Sequence, residues 1–280
     1  MIKITPPEFT IFSNYILEIS GIALVKGKEY LVETRLNPLV DELCCTSYTE
    51  LFKKAKSDFT QKIEKKIIDA ISTNETYFFR DKSPFELLQY KIIPDLIDKR
   101  SKGKTRGLKP SIRMWSAASS TGQEIYSIAM ALDEINITPR SYNIKLLGTD
   151  ISDAAVAQAS YGKYNKFEMA RGLDKKRMDR YFTKQQQDYW RIKDEIRIMA
   201  QFKKMNLMKP FTGLGKFDII LCRNVMIYFT NEDRRKIYTN IAKVLEPDGY
   251  LLLGSTESLA NHSEIFVPRR YLKSVFYELK

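Results

Sequence analysis

Where the apolar runs of this chain end, polar and charged residues begin. WSAASSTGQE, after Ile112 and Met114, supplies Ala117, Ser119, Ser120, Thr121, Gly122 and Glu124. LLGTD ends on Asp150, MNL contributes Asn206 and Leu207, and FDIILC is followed by Arg223 and Asn224. A carboxylate in such a place can accept two hydroxyl hydrogen bonds, which suits a ribose. Gly122 lets a ligand approach the backbone. The first turn has one glycine and no lysine, so a pyrophosphate or triphosphate is poorly served. An adenosine carrying a cationic group is better served, with Glu124 near a helix start to meet an ammonium or sulfonium. On these residues S-adenosylmethionine fits better than NAD. Each acid also has a plainer reading: Asp150 as a helix N-cap, in competition with Ser152, and Glu124 as a first-turn carboxylate favoured by the helix dipole.

A second stretch, STNETYFFRD (72 to 81), is polar, then aromatic, then charged. A core segment would not hold Asn74, Glu75, Thr76 and Arg80 so close together, and a solvated loop would not hold Tyr77, Phe78 and Phe79. The mixture suits a lid over a ligand; the competing reading is a helix C-terminus with an aromatic anchor. Other chemistries find little support. The one histidine, His262, leaves no His-rich metal site and argues against a Ser–His–Asp triad. Cys44, Cys45 and Cys222 lack metal spacing and read as reduced thiols of a cytosolic protein. No metal is expected.

These residues need elements to carry them. From 111 onward strands and helices alternate: SIRMWSA, GQEIYSIAMALDEI, NIKLLGTDI, SDAAVAQAS, KFDIILCRN and NEDRRKIYTNIAKVL, closed by GYLLLGS and VFYEL. Continuous apolar strands between helices predict an α/β domain with a parallel sheet covered on both faces. Ligands of such sheets sit beyond the carboxyl ends of the strands, where the residues above fall. Residues 180–207 have a period-2 look (Ile192, Ile196, Ile198) and predict a small antiparallel insertion, at about 165–205. The chain up to about 85 is helical, with Phe9, Phe12, Ile16 and Ile19 at helical spacing and further helices in SYTELFKKAKS and TQKIEKKIIDAIS. This gives a helical domain over 1–85 and an α/β domain over 86–280. The basic connector 100–111 is a loop inside the second, because the helix PFELLQYKIIPDLIDK before it packs on that domain's sheet. Hydrophobic residues make up 44% of the chain, enough for a sizeable core, and no apolar run approaches the roughly 18–20 residues of a membrane span. The opening MIKITPPEFTIF lacks the layout of a signal peptide. A net charge of +12 favours an anionic partner.

TNETYFFRD, WSAASSTGQEIYSIAM, LLGTDIS and FDIILCRNVMIYF, with the closing LEPDGYLLLGSTESL, resemble in the same order the motifs of the chemotaxis receptor glutamate methyltransferases, the CheR family. The likeness covers nearly the whole chain. It implies an all-α N-terminal domain followed by a Rossmann-like S-adenosylmethionine-dependent methyltransferase domain, into which a small antiparallel β-subdomain is inserted. It implies methyl transfer from S-adenosylmethionine, leaving S-adenosylhomocysteine, to glutamates on the cytoplasmic helical bundle of chemoreceptors. By the motif matches, Asn74, Thr76 and Arg80 correspond to cofactor contacts of the lid, and Glu124 and Asp150 to acidic contacts, with Asp150 on the ribose. Asn206 and Leu207 look like the pair flanking the adenine, and Arg223 and Asn224 lie beside the methionine part; Ala117 and Gly122 complete the expected set. The chain departs from the family in three places. Gln123 stands where a second Glu is usual, and the loop 100–111 is longer and more basic. In the β-subdomain, FTKQQQDYW is shorter than the glycine-containing loop with which receptor-tethered members grip a C-terminal pentapeptide, so no such tether is expected.

A glutamate side chain, with a pKa of about 4.3, is already ionised at neutral pH and needs no general base. Arg80 and Tyr228 are candidates to orient it, although Tyr228 reads equally well as core. Lys53, Lys54, Lys56, Lys62, Lys65 and Lys66, set against Glu50, Asp58 and Glu64, form a local basic cluster fit for docking an acidic receptor helix; the alternative is an ordinary solvated face. Two rival readings are a nucleic-acid methyltransferase and a cofactor-binding adaptor without turnover. CRNVMIYF lacks the Asn/Asp-Pro-Pro-aromatic motif usual in amino-methylating DNA enzymes, and the intact loop motifs argue against the adaptor. A monomer that binds neither nucleic acid nor membrane is expected.

Overall fold

The computed structural model describes residues 2–101, 109–260 and 264–280. His262 and positions 102–108 of the connector lie outside them. Thr5 starts α1 (Pro6–Ser20): its hydroxyl accepts from the Glu8 N–H while the Glu8 carboxylate accepts from the Thr5 N–H, a reciprocal capping box. α2 (Glu29–Glu42), α3 (Tyr48–Ser57) and α4 (Lys62–Ile71) follow. Their apolar faces close on Phe12, Ile16, Val32, Leu36, Tyr48, Leu51 and Ile67, all fully buried. α5 (Ser83–Leu87), a π-helical turn (Leu88–Ile92) and α6 (Ile93–Ser101) then run as one continuous helix. Pro94 has no N–H to offer the preceding turn, and the helix widens just before it, with the Ile93 N–H reaching back to the Leu88 carbonyl.

The alternation that follows is β1 (Ser111–Ala117), α7 (Gln123–Glu134), β2 (Asn143–Asp150) and α8 (Asp153–Tyr161). Next come β3 (Lys163–Asn165), α9 (Lys166–Ala170), α10 (Lys175–Tyr181), β4 (Phe182–Lys184), β5 (Tyr189–Ile192), α11 (Asp194–Arg197) and β6 (Ala200–Lys204). β7 (Phe217–Cys222), a 3-10 turn (Met226–Tyr228), α12 (Asn231–Val244), β8 (Leu245–Leu253), β9 (Phe266–Tyr271) and β10 (Ser274–Leu279) complete the chain. The main sheet has the order β6-β2-β1-β7-β8-β10-β9. Its first five strands are parallel, and β10 and β9 add an antiparallel edge. Met114, Ile219, Leu221 and Leu252 share a buried cluster with α5 and α7, while Trp115, Ile220 and Leu251 share the opposite one with α12.

The period-2 reading of residues 180–207 needs correction. β4 and β5 do pair antiparallel, and with β3 they form a separate three-stranded sheet. Ile192 lies on β5, but Ile196 belongs to the single turn α11 and Ile198 is exposed. β6 leaves the small sheet altogether and pairs parallel to β2 in the main one. The spacing of four between Ile192 and Ile196 satisfies both a strand and a helix, which is why alternation alone misread it.

Candidate active site

β1 lies between β2 and β7, so the order of connection reverses at this strand. Open α/β sheets bind ligands at such a switch point, beyond the carboxyl ends of the strands. A cavity of about 720 Å³ opens there, closed from above by segments of the helical N-terminal part. Asn74, Thr76, Arg80, Glu124, Asp150, Asn206, Leu207, Arg223, Asn224 and Tyr228 all line it. Two expected residues do not. Ala117 is buried in the core beside Trp115. Gly122, with φ +93°, precedes α7, and a Cβ there would lie 2.9 Å from the Ala159 Cβ and 3.2 Å from the Phe202 ring. The glycine is required by the close passage of α7 over α8 and β6.

Asp150 is buried at the end of β2. Its Oδ2 accepts from the Ser120 N–H at 2.8 Å and its Oδ1 from the Ser152 N–H at 3.0 Å. The cap of α8 is Ser152, whose Oγ accepts from the Ala155 N–H, so the capping alternative for Asp150 falls away. Burial pushes the Asp150 carboxyl above its ordinary value; the N–H groups of Ser152, Ser120 and Ile151 oppose this, and the Asp69 carboxylate adds to it. Each oxygen keeps a second lone pair for a hydroxyl.

Glu124 is not the free counter-charge its position implied. Its Oε2 receives Arg223 Nη1 at 2.7 Å and its Oε1 receives the Ser116 hydroxyl at 2.8 Å. Arg223, only 1% exposed, also donates through Nη2 to Asp81 Oδ2 at 2.7 Å and to the Arg80 carbonyl at 3.0 Å. The guanidinium thus ties the sheet to the segment above it. Gln123 is buried and accepts from Thr121 Oγ outside the cavity.

The stretch 72–81 unites its two readings. Phe78 is fully buried, edge-on to Tyr164 and Phe182 with centroids 5.0 and 5.4 Å away, and the Phe79 N–H donates to Ser127 Oγ. Phe79, Asp81 and Lys82 have φ of +51°, +68° and +48°, a sharp turn held by this anchor. The polar part edges the cavity: the Asn74 carbonyl accepts from Ser120 Oγ, and Arg80 donates to the Glu75 carbonyl at 3.0 Å while lying over the Tyr77 ring. The helical N-terminal part is attached at several points. Asn206 Nδ2 donates to the Ile19 carbonyl, and its Oδ1 accepts from the Met208 N–H, so this side chain serves the docking of α1. The Ala23 N–H donates to the Tyr228 carbonyl at 2.8 Å.

One organising residue escaped the sequence reading. Glu257 accepts four backbone N–H bonds, from Asn224 and Gly254 on Oε2 and from Val225 and Met226 on Oε1, at 2.7 to 3.1 Å. It fixes the loop that carries Arg223, Asn224 and Tyr228. STESL offered no local sign of a carboxylate reaching back across 33 residues. The basic cluster is less uniform than its composition. Lys54, Lys56 and Lys66 pair with Glu50, Glu18 and Glu42, whereas Lys53, Lys62 and Lys65 are exposed with no carboxylate partner among the described residues.

The donor set fits an adenosyl sulfonium. The Asp150 carboxylate after β2 has lone pairs to spare and lines the cavity, and the turn after β1 has no phosphate cradle. Parallel sheet, switch point and loop chemistry together define an S-adenosylmethionine-dependent methyltransferase. Residues 7–72 match the family model of the CheR methyltransferase all-alpha domain, and 74–272 that of the CheR methyltransferase SAM binding domain. The chain belongs to the CheR methyltransferase family, as its motifs implied, and its cofactor is S-adenosylmethionine. It is 36% identical to chemotaxis protein methyltransferase 1 of Pseudomonas aeruginosa over 98% of both chains. It is 35% identical to the chemotaxis protein methyltransferase of Vibrio parahaemolyticus over 100% of this chain and 99% of the other. For the Borreliella burgdorferi chemotaxis protein methyltransferase the identity is 36%, over 98% and 96%. Among solved structures it is similar to a glycopeptide N-methyltransferase, MtfA, complexed with S-adenosylmethionine, at a TM-score of 0.34 and 14% identity over 63% of this chain and 55% of that one, too distant to bear on the argument. No helix among the described residues is long and apolar enough to cross a membrane.

Proposed function

We propose that this chain methylates glutamate side chains on the cytoplasmic helical bundle of chemoreceptors, acting as a monomer and without gripping a receptor C-terminal pentapeptide. The observation that carries the reading is the meeting of Asp150, Arg80 and Tyr228 on one cavity in a member of the chemotaxis methyltransferase family. S-Adenosylmethionine supplies an electrophilic methyl group on a cationic sulfur. Asp150 accepts the ribose hydroxyls, and the backbone at Asn206 and Leu207 borders the adenine. Arg223 and Asn224 form the wall beside the methionine part. Arg80, reaching in from the anchored turn, and Tyr228, on the loop pinned by Glu257, orient the acceptor carboxylate. That carboxylate arrives ionised, so no residue of the site moves a proton. The enzyme's contribution is alignment and the exclusion of water.

Residues 1–85 serve in this reading as the docking domain and 86–280 as the catalytic one. Independence from a pentapeptide is supported by the β4–β5 connection, a tight turn with Gln187 and Asp188 at φ +60° and +57°, closed by a bond from the Gln185 N–H to the Tyr189 carbonyl. A turn this short offers little backbone for clamping a peptide, which favours the tether-free reading. The test is transfer of labelled methyl groups to receptor-containing membranes, with release as methanol by base. Receptor with and without its last five residues should be labelled at the same rate. Absence of base-labile label would sink the reaction, and a rate that drops on truncation would sink the tether-free part.

A further inference from the structure

The helical N-terminal part contributes more than a cover to the cofactor site. Asp69, on the last turn of α4, accepts from the Ser152 hydroxyl at 2.7 Å and lies 3.4 Å from the Ala154 N–H. Ser152 is fully buried, and its own N–H donates to Asp150 Oδ1 at 3.0 Å. A continuous line therefore runs from α4 through one serine to the carboxylate assigned to the ribose. Ser152 has two duties at one oxygen: it accepts from the Ala155 N–H to cap α8, and it must send its proton elsewhere. Asp69 takes that proton, which fixes the hydroxyl rotor and leaves the Ser152 N–H aimed at Asp150. Without Asp69 the hydroxyl proton loses its acceptor, and the turn between β2 and α8 loses two hydrogen bonds to α4.

We propose that Asp69 is a positioning residue of the cofactor site: acting through Ser152, it holds the Asp150 carboxylate in the orientation that receives the ribose, so cofactor affinity depends on a residue from α4. The inference rests on the assignment of Asp150 to the ribose. α4 also carries Lys62 and Lys65, so one helix would bear both the docking charges and the support for the cofactor.

The experiment is calorimetric titration of the full chain with S-adenosylhomocysteine, for wild type, D69A, D69N, S152A, D69A/S152A and D150A, with steady-state rates alongside. D69A should weaken binding about fivefold and raise KM for S-adenosylmethionine by a like factor, with kcat little changed. D69N keeps an acceptor oxygen and should stay within about twofold of wild type. In the S152A background, D69A should have little further effect, because only the long Ala154 N–H contact is left to lose. A role confined to holding α4 in place would instead give equal losses in both backgrounds and no rescue by D69N, and either result overturns the proposal. The D150A arm separates the two levels. If D150A binds normally, the ribose assignment itself is wrong; if D150A binds weakly and D69A normally, only the role of Asp69 is lost.

Discussion

On the proposed reading Asp150 does two opposed things: it stays charged for a ribose and sits in a nearly dry place. Burial raises its carboxyl pKa, and the Ser120 and Ser152 N–H groups recover part of the loss. The sign of the consequence differs for binding and for stability. Affinity needs the ionised form, so it should be level at neutral pH and fall as pH drops through the raised value. The fall begins above the ordinary aspartate range of about 3.9 and steepens toward roughly tenfold per pH unit. Stability of the unliganded protein goes the other way. An acid whose folded pKa is raised binds its proton more tightly when folded, so its contribution improves as pH falls through that window and is fully adverse above it. Titration with S-adenosylhomocysteine between pH 8 and pH 4.5, with D150N as the comparison, reads the first effect; thermal unfolding of the same pair reads the second. Wild type and D150N that bind S-adenosylhomocysteine equally well at pH 8 would mean the ribose is held elsewhere. Arg223 shows the same economy of charge, since its guanidinium is almost wholly enclosed yet meets two carboxylates and a carbonyl.

The elements that carry the site depend on a few close backbone approaches. Gly172, in the link between α9 and α10, has φ +89°, and a Cβ there would fall 1.7 Å from the Phe78 carbonyl oxygen. Next to it, Arg171 pairs with Glu75 and lies over the Tyr77 ring. The β-subdomain side of the molecule thus holds the outer face of the turn that presents Arg80. G172A should displace that turn and weaken both folding and cofactor binding. The matched comparison is Gly213, also at positive φ (+77°) but with nothing within 4 Å of the added carbon. G213A should lose only about 1–2 kcal/mol of stability from backbone strain and bind cofactor normally. Equal binding by the two variants would show that the contact at Phe78 does not govern the site. The legibility of the elements in the sequence follows from their surroundings. β1, β2, β7 and β8 were plain because parallel strands buried on both faces read as unbroken apolar runs. β6 is a half-exposed edge strand whose alternation mimics an antiparallel ribbon, and β9 carries Pro268, Arg269 and Arg270, residues that protect an edge and hide a strand. α2 has Pro38 in its interior and gave no clear period. Among the site residues, those beyond strand ends were legible from strand–loop order. The partners of Glu124 and Asp150, and the whole role of Glu257, arise from contacts between distant segments that no local pattern records.

At the scale of the molecule, a net charge of +12 is informative only where it is not already answered. Half of the basic cluster is engaged by Glu18, Glu42 and Glu50. Lys53, Lys62 and Lys65 remain, on α3 and α4, and the turn between these helices presents Phe59 fully exposed. That turn is firmly held, with Asp58 accepting from the Thr60 and Ile63 N–H groups. Lys62 begins α4 and Ile71, which lines the cavity, ends it; at about 1.5 Å per residue they are about 14 Å apart along the axis. A receptor helix lying along α4 would present one acidic patch to the lysines and a glutamate, about two to three turns on, to the cavity. Exposed charges act over a Debye length of about 8 Å at physiological salt and set encounter more than chemistry. K53E/K62E/K65E should therefore raise KM for receptor about tenfold at low salt, leave the affinity for S-adenosylhomocysteine alone, and converge on wild type as salt is raised. Reversal of paired Lys66 should act less on receptor and more on folding, because it sets a new carboxylate against Glu42. If the triple variant methylates receptor as well as wild type at low ionic strength, the approach of the substrate is governed by another face, and the unpaired lysines are merely solvated.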